Sequence, residues 1–180
     1  MRTSDLDIFL IPGLGDSGPD HWQSRWEAKL PTARRVVQDD WSTPNLTDWE
    51  ARIVAAVERA TRPAVLVAHS LGALAAAHAA PKVAPWVKGA FLVAPPSIHS
   101  PALTAVDRAF FGDLRPLPFA GVVVASQDDP HSSVADARAF ADRLGAEFSD
   151  AGASGHINAE SGHGPWPEGL MRFAGFLRAL

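Results

Sequence analysis

A serine hydroxyl attacks a carbonyl at neutral pH only when a base removes its proton and an acid orients that base. The segment Val65-Leu66-Val67-Ala68-His69-Ser70-Leu71-Gly72-Ala73 holds a serine suited to that task. An apolar run precedes Ser70, an alanine-rich stretch follows it, and small residues stand two before and two after it. This is the layout of a nucleophile elbow: a strand, a sharp turn with the serine at its tip, then a helix. The turn brings the chain close to itself, which is why small neighbours are needed. Glycine usually fills both flanking places; here the first is Ala68, tolerable where the backbone needs no positive φ. The start of the helix adds free N–H groups and the positive end of a dipole. The plain alternative is that Ser70 only caps the helix, and x-x-S-x-G by itself does not decide between the two.

Proteins with such an elbow carry the acid and then the histidine later in the chain. Val122-Val123-Val124-Ala125-Ser126-Gln127-Asp128-Asp129-Pro130 is a strand-like run ending in two acids. Asp129, directly before Pro130, is the first candidate and Asp128 the second; spacing leaves both open. Either could instead solvate the loop or cap a helix starting near Val134. For the base, Gly155-His156-Ile157-Asn158 offers His156 on a loop that Gly155 allows to turn inward, with His163, also after a glycine, as its competitor. His69 would point away from an elbow serine and reads as packing or polar support. His21, His78, His99 and His131 have no partner pattern. No H-x-x-H or H-E-x-x-H spacing occurs and cysteine is absent, so neither a metal nor any other cofactor is expected.

Developing negative charge on a carbonyl oxygen needs two donors. One is the N–H after the nucleophile, Leu71; the other belongs on the loop after the first strand, Pro12-Gly13-Leu14-Gly15-Asp16-Ser17, where the N–H of Leu14 is the candidate. The same loop has a rival reading. Gly13 to Gly18 matches G-x-G-x-x-G, with Asp39 and Asp40 about twenty residues on, a weak dinucleotide signature that predicts thermal stabilisation by such a ligand.

These residues need a frame. Apolar runs of strand length at Ile8–Ile11, Arg34–Val37, Pro63–Ala68, Gly89–Ala94, Gly121–Ala125 and Ala146–Ser149 alternate with helical periodicity over Asp20–Leu30, Leu46–Ala60, Leu71–Ala80, Val134–Leu144 and Glu168–Leu180. Trp22, Trp26 and Leu30 share one helical face, and so do Trp49, Ile53 and Val57; Thr47 or Asn45 caps the second helix. Runs apolar on both faces, separated by helices, predict an α/β fold: about six strands in a mostly parallel sheet with helices on both faces. The longest irregular stretch, Pro95 to Pro118, holds five prolines and should be functional or partly helical. At 180 residues, one domain over 1–180 is expected.

A net charge of −4 without a basic stripe argues against nucleic acid and anionic membranes as partners. The N-terminal seven residues carry two acids and no apolar core of a signal, and no run reaches the ~18 residues of a membrane span, so a cytoplasmic location is expected.

The chain resembles the small serine hydrolases typified by retinoblastoma-binding protein nine and the bacterial YdeN proteins. The resemblance spans nearly the whole sequence. It rests on Pro12-Gly13-Leu14-Gly15 with Trp22, on Trp41, Pro44 and Trp49, on Ala68-His69-Ser70-Leu71-Gly72, on Ser126-Gln127-Asp128-Asp129-Pro130, and on Gly155-His156-Ile157-Asn158 with Gly162 and Trp166-Pro167. It implies a compact α/β-hydrolase without a large cap domain and, by position, Ser70, Asp129 and His156 as a catalytic triad. The expected activity is hydrolysis of a small carboxylic ester, amide or thioester through an acyl-enzyme, with a small-molecule acyl substrate. Phe110, Phe111 and Trp41 are candidates for the apolar walls of its pocket, with core packing as their plainer role. The alternative is a non-catalytic interaction module on a hydrolase scaffold.

Overall fold

The computed structural model describes residues 1–103 and 106–180. Its six strands are β1 (Asp7–Ile11), β2 (Ala33–Arg35), β3 (Ala64–His69), β4 (Val87–Val93), β5 (Ala120–Ala125) and β6 (Glu147–Asp150). The helices are α1 (Trp22–Lys29), α2 (Leu46–Val57), α3 (Leu71–Val83), α4 (Val134–Leu144) and α5 (Pro167–Ala179). The strands form one sheet in the order β2-β1-β3-β4-β5-β6, and every neighbouring pair is parallel. Each expected strand and helix is present, with no end shifted by more than three residues. Asn45, not Thr47, caps α2, its side chain accepting from the Asp48 N–H.

The strands are apolar on both faces because both faces are covered. Along β1 and β3, Ile8, Leu10, Val65 and Val67 face one side and meet Trp22 and Trp26 of α1 and Phe173 and Leu177 of α5. The alternate residues Phe9, Ile11, Leu66 and Ala68 face the other side, packed with α2, α3 and α4. This is the period-two alternation of a strand, with an apolar layer on each side. α3 packs on the sheet and is rich in alanine, the small side chains letting helix and sheet backbones approach closely; Ala73, Ala75, Ala76 and Ala79 are all buried. Fully burying a Trp22 or Phe173 side chain contributes roughly 2–3 kcal/mol.

At the N-terminal edge of the sheet a buried carboxylate ties three segments together. Asp7 accepts from the N–H groups of Thr61 and Arg62 and from the Arg34 guanidinium. Burial works to raise its pKa, but those N–H groups and the Arg34 and Arg62 guanidiniums outweigh it, and the carboxyl lies below the usual range.

Between β4 and β5 lie two short 3-10 turns, Pro101–Leu103 and Arg108–Phe111, so the proline-rich stretch is partly helical as expected; part of it, residues 104–105, falls outside the described residues. A parallel sheet of this order carries its chemistry at the C-terminal ends of the strands, where β1, β3, β5 and β6 deliver Leu14, Ser70, Asp129 and His156.

Candidate active site

Ser70 stands between β3 and α3 with φ +54° and ψ −128°. That backbone is strained for a residue with a side chain. It is held by the Ser70 N–H donating to the Val93 carbonyl (2.9 Å) and the Ala73 N–H donating to the Ser70 carbonyl (2.9 Å). Ala68 is an ordinary strand residue without positive φ, so its methyl is tolerated there. Although Ser70 is at the helix N-cap position, its hydroxyl makes no capping bond. It is directed instead to His156 Nε2, 2.9 Å away.

The other face of that imidazole meets Asp129, with Nδ1 at 2.9 and 3.0 Å from the two carboxylate oxygens. The Asp129 side chain is 2 % exposed and that of His156 10 %. Asp129 Oδ1 also accepts from the His131 N–H (2.9 Å). Ser70 and Asp129 are therefore linked through the ring of His156.

The competitors have other partners. Asp128 Oδ1 accepts from Ser126 Oγ (2.8 Å) and from the Gly155 N–H (2.7 Å). It ties the loop after β5 to the loop bearing His156, and those two donors hold its carboxyl below the usual range. His163 lies 3.1 Å from Ser161 Oγ and edge-on to Trp166; among the described residues it contacts neither Ser70 nor an aspartate. Gly155 has φ +53°, consistent with the turn that brings His156 inward. Trp22 Nε1 donates to the Ile157 carbonyl (2.9 Å) and anchors the loop from α1.

Leu14 lies on the loop after β1, pressed against the elbow. A Cβ added to Gly13 would come within 2.8 Å of the Ser70 Cβ, and one on Gly72 within 2.3 and 2.4 Å of the Pro12 and Ile11 carbonyl oxygens. Only glycine lets the two backbones approach this closely. Among the described residues, the N–H groups of Leu14 and Leu71 donate to no protein acceptor. Gly72→Ala should therefore lower stability by ~3 kcal/mol, a fall in Tm of about 10 °C for a chain of this size. Thermal denaturation measures it, and a Tm unchanged from the wild type would contradict the close packing.

The dinucleotide reading of this loop fails on its backbone. The Gly15 N–H donates to the Trp41 carbonyl and the Asp16 N–H to the Gly13 carbonyl. The helix begins at Trp22, beyond the last glycine, with the His21 ring as its cap. Asp39 pairs with Arg52, and Asp40 accepts from Ser42 and Thr43. The N–H groups of Gly15 and Asp16, the helix end and both acids are engaged within the protein.

One histidine without a partner pattern, His131, packs on His156, while His21 caps α1 and packs on His69. The rings of His21, His69, His156 and His131 form a row with neighbouring centroids 4.8, 4.9 and 4.5 Å apart. His69 is the polar support expected of it, its Nε2 2.9 Å from the His156 carbonyl. His131 packs edge-on against His156, and its Nδ1 is 3.0 Å from Ser100 Oγ. No spacing signal marked His131, since its role depends on the turn after Pro130. Burial lowers His21 to about 4, helped by Arg35, His156 and His163, and burial pushes His69 well down too. Both rings are thus neutral in the folded protein near pH 6, where an unfolded histidine takes up a proton. Stability is present above ~6.5 and should be lost as pH falls from there towards 4. Urea denaturation across that range measures the slope; a flat profile would contradict burial of the neutral rings.

Of the expected walls, Phe110 is fully buried edge-on to Trp49, and Phe110 and Phe111 line a cavity together with Leu74 of α3. Trp41 does not line that cavity; it packs edge-on against Trp49, and its carbonyl accepts from the Gly15 N–H.

A serine hydrolase family model matches residues 8–175. A protein described as a YdeN-like hydrolase from Pectobacterium atrosepticum is 36% identical, with a TM-score of 0.84 over 97% of this chain and 91% of its own. The ydeN gene product of B. subtilis superimposes with a TM-score of 0.82 over 95% of this chain and 98% of its own at 20% identity. The type II thioesterase BorB shares the fold at 15% identity, with a TM-score of 0.61 over 87% of this chain and 85% of its own. No curated protein matches. No helix among the described residues is long and apolar enough to cross a membrane. With the match covering nearly its whole length, the chain belongs to the serine hydrolase family and is an enzyme of that type, a small YdeN-like α/β-hydrolase.

Proposed function

We propose that the protein hydrolyses small carboxylic esters or thioesters through an acyl-enzyme on Ser70. The observation that carries this reading is the continuous contact from Ser70 Oγ to His156 Nε2 (2.9 Å) and from His156 Nδ1 to Asp129 (2.9 Å). His156 takes the hydroxyl proton as Oγ attacks the carbonyl, and Asp129 orients the ring and stabilises the imidazolium. The oxyanion is received by the N–H groups of Leu14 and Leu71, each such donor lowering the barrier by roughly 3 kcal/mol. His156 then protonates the leaving alcohol or thiol. Water, deprotonated by the same imidazole, attacks the acyl carbon and frees Ser70. No metal or cofactor is required by these steps, and a small molecule is the partner they need.

Turnover of chromogenic acetate and butyrate esters tests the reading, together with acid quenching and peptide mapping of the acyl adduct. An adduct on the Ser70 peptide is the expected result. Absence of turnover with every acyl length, and of any adduct, would leave the fold as a scaffold without this chemistry.

A further inference from the structure

A cavity of about 320 Å³ lies between α3, α4 and the segment that follows β4. Its walls include Leu74, Ile98, Phe110, Phe111, Leu114 and Phe140. Two features connect it to the chemistry. Leu74 lies one helical turn beyond Ser70 on α3, and helical side chains lean towards the N-terminus, here towards the elbow. On its other side, Ser97 donates its N–H to the His131 carbonyl (2.9 Å), and the His131 ring rests on His156. Neither Ser70 nor His156 lines the cavity; Leu74 on one side and Ser97, through His131, on the other connect it to them. Ile98 and His99 on its wall are exposed, so it opens to solvent.

We infer that this cavity holds the acyl group of the substrate, and that the enzyme prefers acyl groups of medium length or bearing an aryl ring. The inference rests on the proposed acyl-enzyme reading. The acyl group stays joined to Ser70 through both half-reactions, so it must be housed beside the helix that Ser70 begins. The leaving alcohol or thiol departs past His156. The volume is about ten times the ~30 Å³ of a water molecule in the liquid, room for about eight to ten carbon atoms. The lining explains the type of group: most of its side chains are apolar or aromatic, and its two charged groups, Asp136 and Arg143, both belong to α4, Asp136 accepting from the Ser133 hydroxyl (2.9 Å). A pocket of this size and lining gains its affinity from apolar burial.

The test uses two fluorophosphonates, one with a methyl and one with an octyl chain on phosphorus, whose modification of Ser70 is followed by mass spectrometry. The octyl probe should modify the wild type at least about tenfold faster than the methyl probe, because the longer chain buries more methylenes. Ala139 of α4 also lines the cavity and is exposed, so Ala139→Trp fills the space without entering the core. Ile98→Trp does the same from the opposite wall and guards against one variant failing to fold. In both, the octyl-to-methyl rate ratio should fall by about tenfold. If the methyl probe modifies Ser70 but the ratio is the same in wild type and variants, the acyl assignment is overturned and the nucleophile stands. If neither probe modifies Ser70, the nucleophile reading fails and takes this inference with it.

Discussion

Ser70→Ala should reduce ester turnover by roughly 10⁵-fold and eliminate modification by fluorophosphonates, since without the hydroxyl the remaining groups act only by binding and polarising the carbonyl. The fold should tolerate the change. The elbow is held by backbone bonds to Val93 and Ala73, and alanine fits φ +54° no worse than serine. The Ser70 hydroxyl makes no capping bond whose loss would weaken α3. Tm should therefore stay within a few degrees of the wild type, separating a chemical effect from a structural one. Equal labelling of wild type and variant would show that another residue is the nucleophile.

Asp129→Asn should cost roughly 10³–10⁴-fold in kcat with little change in KM. The reason is a tautomer. Asparagine has the same shape and can still accept the His131 N–H that now goes to Oδ1. Its amide, however, can donate to His156 Nδ1, which favours the imidazole carrying its proton on Nε2. That tautomer has no lone pair for the Ser70 proton. Asp128→Asn provides the control: Asp128 contacts Ser126 and the backbone of Gly155 rather than the ring, and an amide oxygen can keep both bonds. Its effect should be about tenfold or less. Steady-state kinetics on the two variants decides between the acids, and a larger loss at Asp128 would reverse their roles.

The loop after β1 illustrates how one segment can carry two sequence signals. Gly13 to Gly18 satisfies a phosphate-binding pattern and an oxyanion-loop pattern equally well. The backbone separates them: two of its N–H groups are spent on Trp41 and Gly13, while that of Leu14 is not, and the glycines are needed for contact with the elbow. A pattern of glycines records that backbones come close; it does not record what they come close to.

The amino-acid order by itself determined the six strands, the five helices and the parallel α/β arrangement, because apolar periodicity and the placement of glycine and proline are local properties of the chain. It also supplied a serine with an elbow around it and a short list of acids and histidines at loop positions after later strands. Only the tertiary structure decided which of them meet. Asp128 and Asp129 are adjacent, and nothing local distinguishes a carboxylate that faces an imidazole from one that fastens a loop. His131 came to rest on His156 because rings distant in sequence were packed side by side, and Trp41 came to pack on Trp49 for the same reason. Contacts between loops are set by how the sheet twists and how helices seat on it, which is a property of the whole packed core and has no counterpart in the spacing of residues along the chain.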